Sequence, residues 1–181
     1  AQHSRHTITI LSMEGRYWKW RMHGAAITLA EQYRRLFISP DLILATDMLD
    51  LSSFLGLTRD VTASVPVALY FHENQMVYPV SKSAGRNNEW RHYAFINYIS
   101  ALTADKVFFN SSYNLETFHR EAYELLKSHR DHNELETIHT IRRKSEVLPL
   151  GLNLQAFDKY IEQTRDSDPA PLVIWNHRWE H

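Results

Sequence analysis

Cysteine is absent from all 181 residues. That excludes disulfides and thiolate-bound metals, and it fits a reducing compartment. No run approaches the roughly 20 consecutive apolar residues of a membrane span, and the first residues lack the apolar core of a secretory signal. An excess of one charge is missing too. Twenty Lys and Arg stand against 21 Asp and Glu, a net charge of −1, so any nucleic-acid contact has to come from a local patch. The glycine-built motifs are lacking: no Walker loop, no G-x-G-x-x-G and no G-x-S-x-G. His72-Glu73 starts like a zinc-protease motif, but Met76 stands where H-E-x-x-H needs its second histidine.

What is present is an alternation of strand and helix. Thr7–Leu11, Asp41–Ala45, Pro66–Phe71, Asp105–Phe109 and Leu172–Asn176 read as strands, and Glu146–Gly151 as a strand running into a turn. Ala25–Leu36, Leu49–Leu57, His92–Thr103 and Tyr113–Lys127 read as helices, with Asn153–Gln163 a further helical stretch. The order predicts an α/β fold with a mainly parallel sheet, helices on both faces and right-handed crossovers. Residues 164–171 have linker composition, and a last strand with nothing after it reads as the opening of a second domain. The expected division is 1–166 for a first domain, with 167–181 as linker and first strand of the next. On this reading the chain is part of a longer protein.

The most informative stretch is Pro66 to Gln75. Six apolar residues without alternation predict a strand covered on both faces. His72, Glu73, Asn74 and Gln75 follow directly. In open parallel sheets, ligands sit beyond the carboxyl ends of the strands. An imidazole, a carboxylate and two amides there can hold or activate sugar hydroxyls. Asp47 ends the preceding strand, and Asn110, Ser111 and Ser112 end the following one, so topology brings all three groups to one rim. Asp47 and Glu73 are candidates for an acid/base pair; the alternative for Asp47 is a cap on the helix after it. Arg16, Trp18, Lys19, Trp20, Arg21 and His23 interleave cations and aromatics, a pattern that can grip phosphates and stack bases. Its alternative is a loop covering the sheet end. Residues 76–90 read as a long irregular segment. His129, His132 and His139 lie in the polar run 128–144, which reads as solvated surface rather than a metal site. No metal ligand set is assigned.

Three stretches together carry a family resemblance: Trp18-Lys19-Trp20-Arg21-Met22-His23-Gly24, Tyr70 to Gln75, and Phe108-Phe109-Asn110-Ser111-Ser112-Tyr113-Asn114. They resemble the tRNA-queuosine alpha-mannosyltransferases, which are retaining glycosyltransferases of the GT-B class. The resemblance runs from about Thr7 to His181. Leu148 to Asn153 with Phe157 is similar to the segment that closes the first domain of many such enzymes, departing from it at Leu150 and Asn153. Val173 to Arg178 is similar to the strand that opens the second domain, with His177 in place of a glycine. The family's first strand and Gly-Gly-Ser-His loop have no counterpart here.

The resemblance implies two Rossmann-like domains, the first facing the acceptor and the second holding GDP-mannose as donor substrate. It implies no cofactor, no metal, no membrane and a cytoplasmic location, with queuosine-bearing tRNA as partner; it leaves the oligomeric state open. His72 and Glu73 become the catalytic pair. Asp47, Asn74, Gln75, Asn110, Ser111, Ser112 and Arg178 become substrate-binding, and Arg16 to His23 meets the tRNA. This piece alone is expected to be inactive. The competing expectations are a GT-B enzyme with another acceptor, and a catalytically silent α/β module that binds nucleotide or RNA.

Overall fold

A computed structural model describes residues 4–77 and 88–160; residues 161–181, with Arg178 and the expected linker and strand, lie outside the described part. The chain divides into two compact units, Ala1–Pro149 and Leu150–His181. In the second, the described residues form one 3₁₀ stretch, Leu154–Tyr160, where a helix is expected.

The first unit is α/β and Rossmann-like. Four strands, β1 (Ile43–Thr46), β2 (Val67–Phe71), β3 (Lys106–Phe109) and β4 (Ser145–Val147), pair in the order β1-β2-β3-β4, every pair parallel. α1 (Trp18–Leu36) precedes β1, and between the strands lie α2 (Leu51–Leu57), α3 (Arg59–Thr62), α4 (Asn88–Thr103), α5 (Ser112–Lys127) and α6 (Glu136–Arg143). β2 is buried at four of its five positions, as its unbroken apolar run requires of a strand covered on both faces. Asp105 clamps the start of this pair. Its carboxylate accepts from Val67 N at 2.8 Å and its own N–H donates to Val67 O at 2.8 Å.

Phe71 and Phe109 are register partners, and their rings stack at 4.9 Å and 8°. Phe118 of α5 closes the stack, with centroids 4.9 and 5.3 Å from the two. All three are wholly buried, an aromatic cluster at the ends of the two strands.

The structure corrects several expected boundaries. Thr7–Leu11 is not a strand: it has no sheet partner, and Ile8 and Ile10 are exposed. β-branched residues favour extended backbone, but a strand exists only against a neighbour. Trp18–Gly24 is not loop but the first two turns of α1, begun after Tyr17 in the left-handed region at φ 51°. The run 128–144 is only partly surface: Ile138 and Ile141 of α6 enter the core, a two-residue apolar stripe hidden among charges.

His119 of α5 sits between Phe109 and Phe118, at 6.1 and 5.5 Å between ring centroids, and neither ring nitrogen has a hydrogen-bond partner. Burial, reinforced by Arg142 and opposed by Glu116, pushes its pKa from 6.5 down to about 4. Between those values the unfolded chain binds a proton that the native state refuses, so stability is complete above 6.5 and declines as pH falls to about 4. The loss reaches at most about 3 kcal/mol. His119→Phe should flatten that part of the stability profile, measured as urea midpoints across the range; an unchanged profile would place the titration elsewhere.

Candidate functional site

The pairing of Phe71 with Phe109 makes His72 and Asn110 the next residues on adjacent strands. Asn110 Nδ2 donates to His72 O at 2.9 Å, and Asn110 N donates to Phe71 O at 3.2 Å. Ser111 Oγ donates to Asn110 Oδ1 at 3.2 Å and also caps α5, accepting from Asn114 N at 3.2 Å. Asn114 Nδ2 reaches back to Asn110 Oδ1 at 3.0 Å. These bonds fix the β2 and β3 ends as one unit at the start of α5.

From the other side, β1 supplies Asp47. It is fully buried, and its N–H donates to Tyr70 O at 3.2 Å, extending the β1–β2 ladder by one residue. Asp47 Oδ1 accepts from His72 N at 3.3 Å and forms an ion pair with His72 Nδ1. The His72 ring is about half exposed at 47%. The Asp47 hydrogen bond raises the His72 pKa above its ordinary value; burial opposes this, and the charges of Asp47 and Glu73 add to it. Asp47 is not a helix cap. Asp50 caps α2, accepting from Ser53 N at 3.0 Å and from the Ser52 and Ser53 hydroxyls at 2.7 and 2.6 Å. Burial pushes the Asp50 carboxyl up, but the bonds from Ser53 and Ser52 outweigh it and hold it below the usual range, with His92 adding attraction.

The two amides of the His-Glu-Asn-Gln run turn inward. Asn74 Oδ1 accepts from Met76 N at 3.0 Å, and Gln75 Nε2 lies 3.8 Å from Met48 Sδ. Asn74 and Gln75 are buried, Glu73 is half-buried, and Ser112 at the head of α5 is exposed. The structure therefore joins Asp47, His72, Asn110 and Ser111 in one network and places Asn74 and Gln75 behind it. Arg178 is outside the described residues.

Sequence reasoning did not pick out Asn97. It lies buried on α4, a helix apolar on most of its surface. Its Nδ2 donates to Asp47 O at 2.8 Å, and its Oδ1 accepts from Gln75 N at 3.0 Å. One amide thus ties the ends of β1 and β2 to the helix behind them. The signal was a lone amide among apolar neighbours on a buried face.

The cationic and aromatic run occupies the first two turns of α1. Arg16, Trp18, Lys19, Trp20 and His23 are exposed, whereas Arg21 is only half exposed and its Nη1 is buried without a partner. Met22 is fully buried with Tyr93 and Ile96 of α4, and Met48, next to Asp47, packs on them. His23 and His92 stack at 4.5 Å, with His92 Nε2 and His23 Nδ1 2.9 Å apart. These contacts fasten the α1 start to the rim that carries Asp47 and Gln75. Trp20 packs closely over Gly24, where a Cβ would lie 3.1 Å from the indole. Among the described residues no group of three or more His, Asp or Glu could hold a metal ion, and no helix is long and apolar enough to cross a membrane.

A family model described as tRNA-queuosine alpha-mannosyltransferase N-terminal matches residues 1–152. The tRNA-queuosine alpha-mannosyltransferase of Drosophila melanogaster is 30% identical over 178 residues, covering 95% of this chain and 46% of that protein. The chain thus spans about half the length of the curated relative it matches. No solved structure matches it.

Asn97→Ala should cost about 2–4 kcal/mol, because it opens a cavity and strands two buried backbone groups. Hydrogen exchange at Gln75 N–H should accelerate more than at Val107 N–H. Equal protection of both amides would mean that Asn97 does not hold the rim.

Proposed function

The chain belongs to the tRNA-queuosine alpha-mannosyltransferase N-terminal family, and on that premise we propose that it is the acceptor-side half of a retaining glycosyltransferase that moves mannose from GDP-mannose to queuosine in tRNA. Residues 1–166 form the acceptor-side domain and 167–181 begin the donor-binding one, working on tRNA in the cytoplasm. The observation that carries this reading is the rim itself. A half-exposed imidazole, anchored by Asp47 and Asn110, stands on the same rim as the cationic, aromatic turn of α1.

Glycosyl transfer passes through an oxocarbenium-like state while a diphosphate departs. The departing charge needs cations or helix N-termini. Arg178 from the second domain and the head of α5 at Ser112 serve that need. His72 holds a hydroxyl beside the reacting carbon, and Glu73 orients His72 or the acceptor diol. Asn110 and Ser111 keep the strand ends in place, while Asn74 and Gln75 support the rim from inside. Trp18 and Trp20 offer stacking faces to bases, and Arg16, Lys19 and His23 meet phosphates. Arg21, turned inward, supports this surface more than it touches the RNA.

The test incubates the intact protein with queuosine-bearing tRNA and a panel of nucleotide sugars, reading the mass of the modified nucleoside. Hexose should be added from GDP-mannose and only to the tRNA. Turnover on a small glycoside without tRNA would replace the acceptor. His72→Ala should lower turnover by roughly a hundredfold; full turnover in that variant would remove the site. Separately, Trp18→Ala should weaken tRNA binding about tenfold. Lys19→Ala should reduce the salt slope of binding by about one. Unchanged affinity and slope in both would take the α1 surface out of tRNA recognition.

A further inference from the structure

A carboxylate can only accept hydrogen bonds. Asp47, wholly buried and paired with His72 Nδ1, therefore demands the proton on that nitrogen. Its second contact, from the His72 backbone N–H at 3.3 Å, fixes the same carboxylate to the strand end, so ring and backbone are held together. Asn97 donates to the Asp47 carbonyl at 2.8 Å, which fixes the main chain from which the carboxylate extends. Among the described residues Nε2 has no hydrogen-bond partner, and 47% of the side chain is exposed.

We propose that Asp47 is a positioning residue rather than a substrate ligand: it locks His72 in the tautomer protonated at Nδ1 and presents Nε2 as the acceptor for a substrate hydroxyl. The proposal rests on the glycosyltransferase reading for its substrate and adds to it the state and direction of the ring. The hydroxyl belongs either to the donor sugar or to the acceptor diol, and both offer the same O–H donor. No proton need change owner; the ring fixes an oxygen at a set distance from the rim, and orientation of that kind carries a large part of many barriers.

The protonation of the ring follows from its surroundings. Asp47 from β1 and Glu73 beside it are the charged groups acting on His72. The facing groups from β3 and α5, Asn110, Ser111 and Asn114, are neutral, as are Asn97 of α4 and Gln75. Both acidic neighbours favour the charged ring, so the His72 pKa lies above 6.5. An acceptor at Nε2 exists only when the ring is neutral. Activity should therefore rise with pH through that raised pKa, then level off.

The experiment compares the intact wild-type protein with Asp47→Asn. An amide can present either a donor or an acceptor to Nδ1, so the tautomer is no longer imposed, and the negative charge is gone. The acid limb of kcat/KM against pH should move to lower pH, and the plateau should fall roughly ten- to hundredfold. A rise in KM confined to the nucleotide sugar assigns the hydroxyl to the donor; a rise confined to tRNA assigns it to the acceptor. An unmoved limb with an unchanged plateau overturns the proposal.

The second measurement needs no variant and no turnover. Ring ¹⁵N shifts of His72 in the intact wild-type protein should show Nδ1 protonated at high pH and a titration above 6.5. A ring protonated at Nε2 overturns the proposal even if the enzyme is active. A correct tautomer in a protein that modifies no tRNA leaves the positioning intact and removes the substrate reading.

Discussion

The stacked pair of Phe71 and Phe109 is the constraint from which the rest of the rim follows. Two aromatic rings at the last position of neighbouring parallel strands favour one register, because a slip of either strand by one residue would put the two rings on opposite faces of the sheet. With that register fixed, the next residues are His72 and Asn110, and they have to be neighbours. Phe118 seals the stack from α5, so the same three rings set the angle at which α5 leaves the sheet. A dense apolar layer thereby carries a polar layer one residue above it.

The polar layer bonds mostly to itself. Asn110, Ser111 and Asn114 close one side, and Asp47, Asn97 and Gln75 close the other. Three of its buried polar atoms, Asp47 Oδ2, Asn74 Nδ2 and Asn114 Oδ1, have no hydrogen-bond partner among the described residues. His72 stands between the two sides with its main chain bonded to both and half of its ring in solvent. The interior amides thus brace one half-exposed imidazole, and this is how four polar residues in succession follow a buried strand without unravelling it.

The start of α1 belongs to this arrangement through packing and through the hydrogen bond between His23 and His92. Met22, Tyr93, Ile96 and Met48 form a small apolar joint, and the His23–His92 stack lies beside it. Met48, next to Asp47 in sequence, thus packs directly against the joint that holds the cationic and aromatic turn. The helical form of that turn also sorts its residues: Met22 faces inward, Arg21 is half covered, and Trp20 lies over Gly24 while Trp18, Lys19 and His23 remain outside.

The alternation of apolar runs was enough to set the class of fold, the parallel order and the identity of the buried strand, because a strand covered on both faces can have no polar position. The coincidence of Asp47, His72 and Asn110 at one rim was also legible, since strand direction is decided by topology alone. Local pattern could not reveal that Thr7–Leu11 lacks a partner, for pairing is a property of two segments. Nor could it show that Ile138 and Ile141 reach the core through a charged run, or that Trp18 to Gly24 continues a helix. The direction of each polar side chain was decided only in three dimensions. Asp47 faces His72, Asn97 bridges two strand ends and Asn74 turns inward because the nearest unpaired donor or acceptor, not the neighbour in sequence, determines where a buried polar group points.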